Sequence, residues 1–182
     1  KKFVISPKSV GISGTSLYLR NGEEFSLRDL LYGLMLISGN DASVAIGEYV
    51  GGNTQKFVEM MNNTAKKIGA KNSHFDNTHG LDSKTHYTTA YDLALITSYA
   101  MQNDTFKEIV STQNKKITNS DGKTRYLKKK LRKYNVKFES PKKGLIQYIL
   151  SCGNREVGAL IEKQVLQMMQ EDVWLQVVKE MV

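Results

Sequence analysis

The sequence predicts an α+β fold dominated by helices, and three observations carry that prediction. Residues 1–25 hold short apolar runs broken by proline and glycine, the pattern of strands and turns. Over residues 27–110 apolar side chains recur mostly at helical spacing. Two capping boxes, at Ser26 and Thr89, open helices inside that stretch. A length of 182 residues suffices for one sizeable core, and 40% apolar with 24% charged residues is ordinary for a globular chain.

The elements follow in order. Phe3-Val4-Ile5 reads as a strand stopped by Pro7, and Leu17-Tyr18-Leu19 as another before the Asn21-Gly22 turn. Ser26-Leu27-Arg28-Asp29 starts the first helix, whose Leu27, Leu30, Leu31, Leu34 and Met35 form one wide buried face. Ser38-Gly39-Asn40-Asp41 interrupts it, because glycine and cap-forming side chains compete with continued helix. A second helix is expected over 42–50, ending at Gly51-Gly52, and a third over 54–68, with Gly69 as its terminator. A polar loop over 72–87 carries all three histidines. Thr89-Ala90-Tyr91-Asp92 opens a helix to about residue 101, and a short helix over 105–110 closes the block.

Beyond Ser111 the character changes. The net charge of +8 is concentrated between Lys115 and Lys143, where 12 Lys/Arg face only Asp121 and Glu139. The tail to Val182 fits no clear hairpin or strand series. The expected organisation is therefore a helical part over 1–112, then a basic linker and C-terminal segment of uncertain fold over 113–182. A solvated surface is the plain reading of the basic block. Nucleic-acid binding is the lesser alternative, since no reading motif accompanies the charge.

Several classes are disfavoured. No apolar run is long enough for a transmembrane helix, and the first residues lack the core of a signal peptide. Cys152 stands alone and cannot form an internal disulfide. His74, His79 and His86 lack acidic or cysteine co-ligands at recognised spacing, so no metal is expected, and Tyr and Met at helical spacing read as core, so no cofactor is expected.

One triplet invites chemistry. Ser38 and Asn40 sit two residues apart at a helix-to-helix junction, where a hydroxyl and an amide can project into one cleft, relay a proton and hold a substrate amide. Alone the triplet is weak, because Asn40 or Asp41 can equally be a helix cap.

Its surroundings add specificity. Tyr18-Leu19-Arg20-Asn21-Gly22-Glu23, the run from Arg28 through Ser38-Gly39-Asn40-Asp41-Ala42, Asn72-Ser73-His74-Phe75-Asp76-Asn77-Thr78-His79-Gly80-Leu81-Asp82, and Tyr87-Thr88-Thr89-Ala90-Tyr91-Asp92-Leu93 stand in the family's order. Over about residues 3–112 the chain resembles the serine D-alanyl-D-alanine carboxypeptidases, low-molecular-mass penicillin-binding proteins of the S11 peptidase family. The resemblance implies a β-lactamase/DD-peptidase-like fold, of which this chain supplies mainly the helical subdomain. It implies three motifs, Ser-x-x-Lys, Ser-x-Asn and Lys-Thr-Gly, acting through an acyl-enzyme. Ser38 and Asn40 match the second, whose serine relays a proton and whose asparagine holds the substrate peptide. By the same resemblance His79-Gly80-Leu81 is a turn beside the cleft.

The other two motifs depart. The attacking Ser-x-x-Lys lies ahead of Ser-x-Asn in the family, and this chain starts too late to contain it. Ser120-Asp121-Gly122-Lys123 and Ser140-Pro141-Lys142-Lys143 come after Ser38, in an Asp-Gly turn and across a proline. Neither sets serine and lysine one helical turn apart. Lys84-Thr85 and Lys123-Thr124 are not followed by glycine. Back-translated and read one nucleotide out of register, residues 163–182 give K-T-G-F-T-D-D-A-G-R-C-L-V-T-G-S-K-G-N-G, which resembles the third motif and its following strand. A frame slip between residues 126 and 163 is the expectation. The resemblance thus implies a fragment of an enzyme that removes terminal D-Ala from peptidoglycan stem peptides, is acylated by β-lactam antibiotics and works outside the cytoplasm, with a membrane-associated parent. As given, the chain is expected to be inactive. A non-catalytic cell-wall peptide-binding domain is the alternative.

Overall fold

The computed structural model describes residues 2–129. Its order is β1 (Lys2–Val4), a 3-10 turn (Pro7–Ser9), β2 (Glu24–Ser26), α1 (Leu27–Ile37), α2 (Asn40–Gly51), α3 (Thr54–Lys67), α4 (Ala90–Ala100), α5 (Asp104–Ser111), β3 (Asn114–Thr118) and β4 (Thr124–Lys128). Two antiparallel pairs, β1–β2 and β3–β4, accompany the helices. This is the helix-rich α+β chain that the patterning predicts.

The caps explain the helix starts. Ser26 accepts the Asp29 N–H at 3.1 Å, and Thr89 accepts the Asp92 N–H at 3.1 Å. The reciprocal halves differ from ideal boxes. Asp29 takes the Ser26 hydroxyl instead of a backbone N–H, and Asp92 reaches out to the Asn72 N–H and the Ser73 hydroxyl, tying the 72–87 loop to α4. Leu30, Leu31, Leu34 and Met35 of α1 join Ile46, Phe57, Met61, Phe75, Ile96 and Phe106 in one core. α1 packs on α2, and α2 on α3.

Two expectations need correction. Leu17-Tyr18-Leu19 is not a strand, although Leu17 and Leu19 are buried and Tyr18 is exposed, as alternation demands. The N–H groups that a neighbouring strand would take are drawn instead to the carboxylate of Asp41. β1 pairs with Glu24–Ser26, placing Phe3 opposite Phe25.

The second concerns residues 114–128, where no hairpin was legible. They form one, with Asp121 and Gly122 in its turn and Gly122 at φ 79°. Its inward positions are Lys115, Ile117, Arg125 and Leu127, so half the buried face is cationic and the apolar alternation is hidden. Arg125 meets Glu23 at 2.7 Å and covers the Phe25 ring, while Lys115 lies over Tyr32. The hairpin docks on the same body as the helices. Residues 130–182, with Cys152, Ser140 and the tail read out of register, lie outside the described residues.

Candidate active site

The α1–α2 junction is assembled by a segment far away in sequence. Ser38 ends α1 in the left-handed conformation, φ 59° and ψ 46°. An L-residue with a side chain adopts it at a cost of about 1–2 kcal/mol. Glycine would adopt it freely, and Gly39 stands next in line, yet Gly39 keeps φ −70°. The strain falls on the serine. It is held there by Thr15, whose hydroxyl donates to the Ser38 carbonyl at 2.5 Å.

Asn40 is the first residue of α2 and fully buried, two residues earlier than the expected start at residue 42. It is not a cap. Gly39 is the N-cap and contributes no side-chain bond. The Asn40 backbone N–H goes to the Thr15 carbonyl at 2.8 Å, and its side-chain amide donates to the Ser13 carbonyl at 2.6 Å. Its side-chain carbonyl oxygen is buried with no hydrogen-bond partner among the described residues. Leaving such an acceptor unpaired costs about 1–3 kcal/mol, so the site stores an unmet preference for an N–H or O–H donor. Gly14 makes the contact possible, since a Cβ there would come within 2.7 Å of the Asn40 amide nitrogen.

Asp41 holds this arrangement in register. Its carboxylate accepts the Leu17 and Ala42 N–H groups on one oxygen, at 2.8 and 2.9 Å. The other oxygen accepts the Ser16 hydroxyl and the Leu19 N–H, at 2.6 and 3.0 Å. At 1% exposure the charge has no cationic partner among these contacts; N–H donors and the first turn of α2 stabilise it. Sequence reading missed this clamp, offering Asp41 only as an alternative helix cap. The only signal was a glycine-rich turn of unexplained length ahead of a buried-looking Leu-x-Leu.

The 72–87 loop covers the neighbouring side. Ser43 of α2 lies 3.3 Å from the Thr78 hydroxyl, both buried. Asn77 accepts the His79 and Gly80 N–H groups in a tight turn, with Gly80 at φ 72°. Leu81 of that turn reaches within about 4 Å of where a Gly14 Cβ would sit, beside Asn40. Asp76 accepts the Ser83 and Thr85 hydroxyls and lies 3.1 Å from His74; the hydroxyls chiefly, then the histidines, hold its carboxyl below the usual range. His74 and His86 both fall in this loop; among the described residues no group of three or more His, Cys, Asp or Glu is placed to hold a metal ion.

The structure thus brings Ser38 and Asn40 to one junction, neither in open solvent. Ser120-Asp121-Gly122-Lys123 is a hairpin turn and not the helical turn of a Ser-x-x-Lys pair, and Lys84-Thr85, considered for the Lys-Thr-Gly motif, is exposed in the 72–87 loop.

A family model described as D-alanyl-D-alanine carboxypeptidase, of the S11 peptidases, matches residues 2–147. The chain belongs to the D-alanyl-D-alanine carboxypeptidase family. It is 45% identical over 87 residues to DacD of Escherichia coli (strain K12), covering 48% of this chain and 22% of that protein. It is 36% identical over 107 residues to DacF of Bacillus subtilis (strain 168), covering 59% of this chain and 28% of the other. In structure it is similar to a D-alanyl-D-alanine carboxypeptidase from Mycobacterium tuberculosis H37Rv, with TM-score 0.68 and 26% identity, over 74% of this chain and 52% of that one. The chain spans about a quarter of the length of these curated relatives. The α+β organisation is that of the DD-peptidase fold. The match runs past residue 112 through the β3–β4 hairpin, so the basic stretch lies within the family's own sequence.

Proposed function

We infer that this chain carries the Ser-x-Asn part of a serine D-Ala-D-Ala carboxypeptidase site. The observation that carries the reading is the conformation of Ser38: a serine held in the left-handed region beside a glycine that could have relieved it. Strain of that kind persists where surrounding structure fixes it, and it is concentrated at functional sites.

In this reading Ser38 presents its hydroxyl for proton relay, and Asn40 engages the backbone of the D-alanyl substrate. The unpaired Asn40 carbonyl oxygen suits a substrate N–H. The reaction is hydrolysis of the terminal D-Ala of a peptidoglycan stem peptide through an acyl-serine, without cofactor. β-Lactams compete for the same site. The substrate lies outside the cytoplasmic membrane, which sets an extracytoplasmic place of work. The attacking serine of the family's first motif has no counterpart among the 182 residues, and loss of a nucleophile from a cooperative site removes most of its rate advantage. The chain by itself therefore recognises and does not cleave.

Incubation with a fluorescent penicillin, then denaturing electrophoresis, tests this alongside a D-Ala release assay. No covalent label and no D-Ala release are expected from the 182-residue chain. A labelled band would place a reactive serine within it and overturn the division of labour proposed here.

A further inference from the structure

The 72–87 loop contains a histidine whose two ring nitrogens have opposite circumstances. His86 Nδ1 accepts the Asp76 backbone N–H at 3.2 Å, so it carries no proton. The proton of the neutral ring then belongs on Nε2, which is buried and has no hydrogen-bond partner among the described residues. The ring stands edge-on to Phe75, itself fully buried, with centroids 5.7 Å apart. Beside this contact the loop is closed by a two-way bridge: the His74 N–H to the Tyr87 carbonyl at 2.8 Å, and the Tyr87 N–H to the His74 carbonyl at 3.0 Å.

We propose that His86 is a pH-operated latch, whose neutral ring holds the 72–87 loop closed upon itself and whose protonation releases it. A proton from solvent adds to Nδ1, the one nitrogen with a lone pair available. That nitrogen changes from acceptor to donor, and now faces the Asp76 N–H, a second donor. The contact becomes repulsive. At the same time a positive charge is placed against Phe75, with Nε2–H still unpartnered. Three titratable groups act on the ring: Asp76 and Asp82 favour the proton, while His74 opposes it. Burial outweighs the carboxylates and holds His86 below the ordinary histidine range.

The sign follows directly. Because the closed loop binds this proton less readily than the open one, closure is complete above the ordinary histidine pKa of about 6.5. It weakens as pH falls from there through the lower value of the closed state. The Asp76 hub begins to fail only below the ordinary carboxyl pKa of about 3.9, well beneath the pH at which the latch starts to loosen. The bearing of the latch on the Ser38–Asn40 junction, through Thr78 and Leu81, rests on the proposed function; the latch itself does not.

The test uses the full chain and needs no catalysis. NMR titration of the ring protons gives a midpoint for each histidine, and amide exchange of Tyr87 reports the bridge. His86 is expected to titrate below about 6.5. After correction for intrinsic exchange, Tyr87 protection should fall by up to about tenfold per pH unit over the same window. In His86→Gln, which keeps an acceptor but no titratable group, that dependence should vanish. Should His86→Gln not fold, the ring nitrogen shifts of the unsubstituted chain decide the matter: a bare Nδ1 with Nε2–H at neutral pH supports the latch. An Nδ1–H tautomer, a midpoint at or above the ordinary value, or Tyr87 protection indifferent to the titration would each overturn it. None of these outcomes depends on whether the chain binds a D-alanyl peptide.

Discussion

Two carboxylates organise the two sides of the candidate site, and they do so differently. Asp41 is buried and accepts from backbone N–H groups of a segment more than twenty residues earlier, including Leu17 and Leu19. Asp76 is a loop residue that accepts hydroxyls from its own loop, Ser83 and Thr85. The first joins distant chain segments under the core and leaves no acceptor unused. The second shapes a local loop in contact with water. The junction of Ser38 and Asn40 should therefore open only with the whole fold, whereas the 72–87 loop should open by itself and respond to pH.

The largest expected effect breaks the first hub. Asp41→Ala leaves the buried Leu17 and Leu19 N–H groups without acceptors, at about 1–3 kcal/mol each. A loss of about 3 kcal/mol or more in denaturant unfolding is expected, and a loss under about 1 kcal/mol would show that Asp41 is no keystone. Gly14→Ala comes next. Its Cβ collides with the Asn40 amide and its φ of 91° disfavours any side chain, so a loss of about 2 kcal/mol is expected together with a shifted Asn40 amide resonance. Ser38→Gly sharpens the comparison by its sign. Relief of the left-handed strain should stabilise the chain by up to about 1 kcal/mol while removing the hydroxyl, which makes it a residue kept at the expense of stability. Smallest in global terms is Asp76→Ala. Unfolding stability should hardly move, while amide exchange of Tyr87 and His74 accelerates. In the unsubstituted chain the contribution of Asp76 should be lost only as pH falls below the ordinary carboxyl value, in addition to the loosening that begins below about 6.5 with His86, because the loop keeps the Asp76 carboxyl ionised to lower pH.

The helical half was legible because its signals are local. Ser26 and Thr89 cap what their spacing says they cap, and the Leu30, Leu34 stripe is buried as helical period requires. The site was legible as a pair of residues and not as a structure. Ser38 and Asn40 stand out by sequence spacing and resemblance, but what holds them comes from Ser13, Gly14 and Thr15, and non-local hydrogen bonds leave no periodic trace. The Leu17–Leu19 segment misled for the same reason: its in-out alternation is that of a strand, and only Asp41 decides that its N–H groups go elsewhere. The β3–β4 hairpin was hidden by Lys115 and Arg125, long cations whose stems occupy inward positions that a hydrophobicity pattern scores as outward.

The most direct measurement is an NMR titration of the isotope-labelled 182-residue chain with an N-acylated D-alanyl-D-alanine peptide, against its L,L counterpart. Shifts confined to the Ser38 amide, the Asn40 side-chain amide and the Ser13 to Thr15 segment, seen with the D,D peptide alone, are the expected result. Equal response to both peptides, or shifts gathered elsewhere while Asn40 stays silent, would contradict the assignment of this junction to D-alanyl recognition.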